Sequence, residues 1–87
     1  MVIKMKIKLK KQPEKYLSKC SKSDCDKIHK ALLKLESWQG DIKLLEGYKA
    51  TYRLKIPPFR IIFTYVKGDI TITIIKINTR GDAYKKG

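Results

Sequence analysis

Three stretches in the second half of the chain alternate apolar and polar residues with a period of two, and this pattern constrains the fold most. They cover about residues 49–56, 59–66 and 70–77. Such alternation predicts strands that each bury one face. Gly68-Asp69 suits a tight hairpin turn with glycine first. Pro57-Pro58 cannot supply the positive φ of the commonest two-residue turns, so we expect a wider turn or a cis bond there.

The first half of the chain opens with a fourth alternating stretch and continues with two helical patterns. Lysines separate the apolar residues of the first strand, which are Ile3, Met5, Ile7 and Leu9. Pro13 fits the first position of a helix that ends near Lys19. Ser23 is the expected N-cap of a second helix that runs to about Trp38, where Gly40 stops it. The apolar stripe of that helix comprises Ile28, Ala31, Leu32, Leu35 and Trp38. Trp38 is expected in the core.

The order of these elements predicts the fold class. It is α+β: an N-terminal strand, a helical hairpin, and a three-stranded antiparallel meander, with the helices on one face of the sheet. A length of 87 residues suits one domain over residues 1–87. No run of 18 apolar residues and no signal-like stretch is present, so we expect a cytoplasmic protein.

The cysteines and the histidine limit the chemistry that the chain can support. Cys20 and Cys25 are the only cysteines, and without an export signal we expect reduced thiols. Together with the single histidine, His29, they are too few for a zinc site. We therefore expect no metal and no other cofactor.

The net charge points to a polyanionic partner. Lys and Arg number 21 against 8 acidic residues, which gives a charge of +13. Nucleic acid, an anionic membrane and an acidic protein all fit this excess. A generally lysine-rich surface gives the same charge without a specific partner.

A basic group is predicted on the side of the sheet that the helices leave open. If the apolar residues of each strand face the helices, then Arg53, Lys55 and Arg60 face the other way. The three late strands contain no carboxylate to neutralise them, and a bound phosphate would relieve their repulsion. Arg80 follows the last strand, and Tyr84 offers a flat ring for a nucleobase. The alternative is a solvated basic edge that prevents strand pairing between molecules.

Four segments together resemble a known family. They are Leu45-Glu46-Gly47, Tyr52-Arg53-Leu54-Lys55-Ile56, Phe59-Arg60-Ile61-Ile62-Phe63-Thr64-Tyr65 and Thr79-Arg80-Gly81-Asp82-Ala83-Tyr84. Their order and spacing resemble the central and terminal signatures of the RelE/ParE toxin superfamily, over essentially the whole chain. The resemblance implies a microbial-RNase-like fold and a type II toxin that inhibits translation. It implies a ribosome-dependent endoribonuclease that cuts mRNA in the ribosomal A site by attack of a ribose 2′-OH.

The resemblance also implies a role for each candidate residue. Lys55 is the expected general base, because lysine between cations releases its proton more readily and arginine stays protonated. Arg60 and Arg80 are expected to clamp the phosphate and stabilise the transition state. Arg53 is expected to bind phosphate or assist the leaving oxygen. Tyr84 is expected to stack on a base.

Two other functions remain open, and each would have different partners. A ParE-like toxin would share the fold and inhibit DNA gyrase, and a noncatalytic basic module would bind RNA or the ribosome without cutting. The basic set with its tyrosine favours the RNA-cutting branch. That branch implies mRNA, the ribosomal A site and an acidic cognate antitoxin as partners, with no membrane and no small-molecule cofactor.

Overall fold

The computed structural model describes the backbone of residues 5–79 and the side chains of residues 5–78. Seven elements follow one another: β1 (Lys6–Leu9), α1 (Lys11–Lys19), α2 (Lys22–Leu35), β2 (Asp41–Leu44), β3 (Thr51–Ile56), β4 (Phe59–Thr64) and β5 (Thr71–Thr79). The α+β class, the first strand and the helical hairpin are therefore confirmed. The expected strand position of Ile3 lies outside the described residues.

All the strands belong to one five-stranded sheet with the order β1-β5-β4-β3-β2. Strands β2 to β5 form an antiparallel meander, and β1 pairs in parallel with β5. The meander holds one strand more than we predicted. Strand β2 has only four residues, Asp41–Leu44, which is too short for an alternating pattern to stand out from a loop.

The turn between β3 and β4 is tight. Pro57 and Pro58 alone connect the strands, and the peptide bond between them is cis. Ile56 and Phe59 are register partners on either side of the turn. Of the two turns that the sequence left open, the structure has the one with the cis bond.

The core lies between the sheet and the helices. Its buried residues are Ile28, Ala31, Leu35, Leu54, Phe59, Ile61, Phe63, Ile72, Ile74 and Ile77. Tyr16 of α1 meets Phe59 edge to face, with ring centroids 6.3 Å apart. Trp38 makes the same kind of contact with Tyr52 at 5.1 Å and with Phe63 at 5.7 Å. Helices on one face of the sheet, and Trp38 in the core, are thus as predicted.

Both ends of α2 differ from the prediction. Ser21 is the N-cap, because its hydroxyl accepts a hydrogen bond from the Asp24 N–H at 3.2 Å, so our choice of Ser23 was wrong. The helix ends at Leu35 and does not reach Trp38. Trp38 has a φ of 56°, a left-handed backbone that a right-handed helix cannot include.

The two cysteines form a disulfide, so the expectation of free thiols was wrong. Cys20 is the C-cap of α1, and Cys25 lies in the first turns of α2. The short junction between the helices brings their Cα atoms to 6.1 Å, a separation that a disulfide spans. Within residues 5–79, neither helix is long and apolar enough to cross a membrane.

Candidate nucleic-acid interface

The open face of the sheet presents two cross-strand rows of mostly charged residues. The row nearest the Pro57-Pro58 turn, which we name the turn-side row, contains Asp41, Lys55, Arg60 and Asn78. The next row along the strands, the second row, contains Lys43, Arg53, Ile62 and Lys76. Neighbouring strands lie about 5 Å apart, so each row is about 15 Å long.

The three cations predicted in the strands share this face. Lys55 lies directly opposite Arg60 across β3 and β4. Arg53 is two residues from Lys55 on the same strand, and alternation places both on one face. Lys55 is exposed, whereas Arg53 and Arg60 are half-buried. The arrangement therefore combines an exposed ammonium group with two half-buried guanidinium groups.

The guanidinium of Arg53 has an unmet hydrogen-bonding need. Its Nε is buried and has no hydrogen-bond acceptor among the described residues. A buried donor without an acceptor costs about 1–3 kcal/mol, and more when it carries charge. Phosphate oxygens match the planar fork of a guanidinium group. Arg53 is thus suited to receive an anion on the open face.

A carboxylate also belongs to the turn-side row, so the expectation of a patch without acidic residues was wrong. Asp41 of β2 is the register partner of Lys55. Cβ atoms of such partners lie roughly 4.5–5.5 Å apart, within reach of direct interaction. The sequence argument missed Asp41 because it did not predict β2. Lys55 therefore has a carboxylate on one side and Arg60 on the other.

Three further residues of the two rows were not predicted. Lys43 was missed together with β2, while Lys76 and Asn78 lie beyond a bulge in β5. The register with β4 shifts between Ile62 and Phe63, so that one residue of β5 is extra. Simple alternation counted from the core residues of β5 puts Lys76 and Asn78 on the helix side. The bulge moves them to the open face.

Beyond the second row the central strands carry uncharged residues on the open face. Thr51, Thr64 and Thr73 follow one another across β3, β4 and β5, and the line ends at Lys8 of β1. The cations of β3 and β4 thus concentrate toward the end of the sheet near the proline turn. Residues 5–79 bring together no group of three His, Cys, Asp or Glu side chains that would hold a metal ion.

The remaining two predicted site residues, Arg80 and Tyr84, lie outside the described residues. Their positions relative to the rows stay predictions from the sequence. Arg80 directly follows β5, the strand that carries Asn78 and Lys76.

Comparison with solved structures shows which proteins share this fold. The chain matches the archaeal RelE–RelB complex from Pyrococcus horikoshii at 26% identity with a TM-score of 0.74, covering 93% of this chain and 98% of that chain. The RelB–RelE antitoxin–toxin complex from Methanococcus jannaschii matches at 23% identity and a TM-score of 0.72, covering 88% and 94%. The isolated E. coli RelE toxin matches at 17% identity and a TM-score of 0.71, covering 94% and 97%. The chain has the fold of RelE-type toxins, and these matches support its place in the RelE-type toxin superfamily.

No family model and no curated protein matches the chain. The likeness to RelE-type toxins therefore rests on three-dimensional structure. The matches span nearly the whole length of the RelE chains, so the likeness covers nearly all of the RelE fold.

Proposed function

We propose that this chain is the toxin of a type II toxin–antitoxin pair and acts as a ribosome-dependent endoribonuclease in the cytoplasm. Residues 1–87 act as one toxin domain. The substrate is mRNA in the ribosomal A site, and its cleavage inhibits translation. One observation carries the proposal: Lys55 and Arg60 are cross-strand partners beside Arg53, whose buried Nε has no acceptor among the described residues.

The proposed reaction is attack of a ribose 2′ oxygen on the adjacent phosphorus. Lys55 accepts the proton of the 2′-OH as the new O–P bond forms. The bond from phosphorus to the 5′ oxygen breaks, that oxygen takes a proton from solvent and leaves as a hydroxyl, and Lys55 then returns its proton to solvent. The products are a 2′,3′-cyclic phosphate and a free 5′-OH, and the number of protons is unchanged.

The cations have complementary roles in this reaction. Arg53 and Arg60 stabilise the negative charge that gathers on the phosphate oxygens, and Arg53 also assists the leaving 5′ oxygen. Arg80 is proposed as a second phosphate clamp and Tyr84 as the platform for a base. Arginine suits the clamp and not the base, because it stays protonated.

An acidic antitoxin is the proposed protein partner. Several of the matched structures are complexes of a RelE toxin with RelB. A chain of net charge +13 attracts an acidic protein over a long range. We expect a neighbouring gene to encode this partner.

The decisive experiment maps the 5′ ends of an mRNA after incubation with programmed ribosomes. Wild-type protein should create new ends within the A-site codon. Lys55→Ala and Arg60→Ala should each lower the cleavage rate by about 100-fold or more, as expected when a transition-state contact is removed. Lys30→Ala is the matched control, because it removes one exposed lysine from α2 and should cut at the wild-type rate.

The outcomes separate this function from its alternatives. Near-native cutting by Lys55→Ala and Arg60→Ala would contradict the assigned residues. Intact mRNA with blocked translation would favour a noncatalytic binder. Intact mRNA with trapped gyrase–DNA complexes would favour a ParE-like toxin.

A further inference from the structure

The second half of β5 lacks a strand on one side. Strand β1 pairs with β5 only as far as Ile74, where the Lys10 N–H donates to the Ile74 carbonyl at 3.0 Å. The chain then turns away from the sheet into α1. Ile77 lies three residues further along β5 and is completely buried. Its N–H and C=O would lack partners on that side, which is costly for a buried backbone.

The side chain of Gln12 takes the place of the missing strand. Its Nε2 donates to the Ile77 carbonyl at 3.1 Å, and its Oε1 accepts from the Ile77 N–H at 2.8 Å. A carboxamide presents one donor and one acceptor side by side, as a backbone strand does. One side chain thus makes both hydrogen bonds that a strand partner would make, although it lies in the first turn of α1.

Ile77 separates the two residues that β5 contributes to the second row and the turn-side row. It lies between Lys76 and Asn78, just beyond the bulge of β5. Asn78 is the register partner of Arg60 in the turn-side row. A bulge leaves the local ladder irregular, so the strand beyond it depends on other contacts for its exact placement. The bonds from Gln12 supply such contacts at Ile77.

We propose that Gln12 is a positioning residue, which fixes the end of β5 and thereby keeps Asn78 beside Arg60. The residue acts through the Ile77 backbone. Its effect on cleavage rests on the proposed function, whereas its effect on the geometry of β5 does not.

Amide hydrogen exchange on the isolated full chain tests the geometry. Gln12→Leu keeps the size of the side chain but removes both hydrogen-bonding groups. Exchange of the Ile77 amide should accelerate about tenfold or more, the effect of losing one buried hydrogen bond. The Asn78 amide should also exchange faster, because it points to the other side of β5, toward Arg60. The Ile72 amide, where β1 is the partner, should change less than threefold.

Lys15→Leu is the matched control for this measurement. It changes another exposed residue of α1 to the same side chain, and it should leave the exchange of all three amides unchanged. Wild-type protection of Ile77 in Gln12→Leu would overturn the inference, whether or not the protein cuts RNA.

Single-turnover cleavage on programmed ribosomes tests the consequence. Gln12→Leu should lower the rate at saturating ribosome about tenfold and leave the half-saturating concentration within twofold. A loss of folded protein alone would lower the amplitude and not the rate constant. The double variant Gln12→Leu/Asn78→Ala should be no slower than the slower single variant, because both changes act at the same contact.

These results distinguish the two proposals. Failure of the wild-type chain to cut contradicts the proposed function and leaves the exchange data to decide on Gln12. Wild-type cutting together with an undiminished rate in Gln12→Leu contradicts the inference alone, and so do losses that multiply in the double variant.

Discussion

Lys55 has a carboxylate neighbour on one side and a guanidinium neighbour on the other, and we expect the balance between them to affect the affinity of the proposed RNA binding. Asp41 attracts the ammonium group, while Arg60 repels it. An arriving phosphate must compete with Asp41 for Lys55. The carboxylate thus opposes anion binding at the position of Lys55.

Asp41→Asn should therefore tighten binding of a short RNA about two- to fivefold, as expected from the strength of an exposed cross-strand charge pair. It should leave the rate of mRNA cleavage on programmed ribosomes within threefold of wild type. Fluorescence anisotropy with a labelled oligonucleotide measures the affinity. Asp26→Asn on α2 is the control, because it changes the net charge equally at a position away from the rows. A loss of cleavage of about 100-fold in Asp41→Asn would instead identify the carboxylate as the general base.

At the scale of the secondary-structure elements, a disulfide bond holds the junction between α1 and α2. The disulfide between Cys20 and Cys25 closes a loop with a sequence separation of 5. A loop of this size corresponds to about 2 kcal/mol of stabilisation in the chain-entropy description. The bond lies in the helical layer, away from the two rows.

Removing the bond should lower stability but leave the fold intact. The double variant Cys20→Ser/Cys25→Ser should unfold roughly 8–16 °C below the oxidised wild type, given the usual relation between stability and melting temperature in a small domain. Reductant should shift the wild type by the same amount and leave the double variant unchanged. Equal melting temperatures of the oxidised wild type and the variant would show that the bond contributes nothing.

Strand β2 depends on the glycine that precedes it. Gly40 has a φ of +126°, and a Cβ built there would lie 2.7 Å from Cδ1 of Leu54. Gly47 has a φ of +86°, but nothing lies within 4 Å of its added Cβ. Both glycines have a positive φ, which strains any other residue placed there. They differ in the space available to an added Cβ.

Gly40→Ala and Gly47→Ala therefore form a matched pair for denaturant unfolding. Gly47→Ala should cost about 1–2 kcal/mol from backbone strain alone. Gly40→Ala should cost about 1–3 kcal/mol more, because the added methyl group overpacks the core at Leu54. Equal losses of unfolding free energy in the two variants would show that the core around Leu54 accommodates the added methyl group without cost.

The periodic pattern of the sequence predicted the longer strands. It did not predict the features that show no regular repeat. Residues of β3 and β4 alternate over six residues each, and their faces followed directly, as did the face of β5 up to Ile74. Strand β2 is too short to show a period, so Asp41 and Lys43 were lost with it. Lys76 and Asn78 were lost because the bulge breaks the alternation that the prediction assumed. The Gln12 contact spans 65 positions in sequence, and no local pattern indicates it.

At the scale of the whole molecule, we expect the net charge of +13 and the local rows to make separable contributions to the proposed RNA binding. The net charge attracts polyanions from all directions. The proposed contacts of the rows with phosphates would release counterions and make the affinity depend on salt.

Two double variants with equal net charge separate these contributions. Lys43→Ala/Lys76→Ala should reduce the slope of log affinity against log salt by about 0.7 per lysine, the value for single strands. Lys27→Ala/Lys30→Ala removes the same charge from α2 and should reduce the slope by much less. Anisotropy titrations over a range of salt concentrations provide the slopes. Equal slopes in the two variants would indicate that the rows have no special part in RNA binding.

Pairing of β1 with β5 has a consequence during synthesis of the protein. The ribosome makes β1 early and β5 much later, so β1 emerges without its neighbour in the sheet. In that interval Gln12 has no Ile77 backbone to hold, and Asn78 does not yet stand beside Arg60. A growing copy thus lacks the finished cationic surface until β5 has been made, so the proposed cleavage of mRNA requires a chain that has been synthesised through β5.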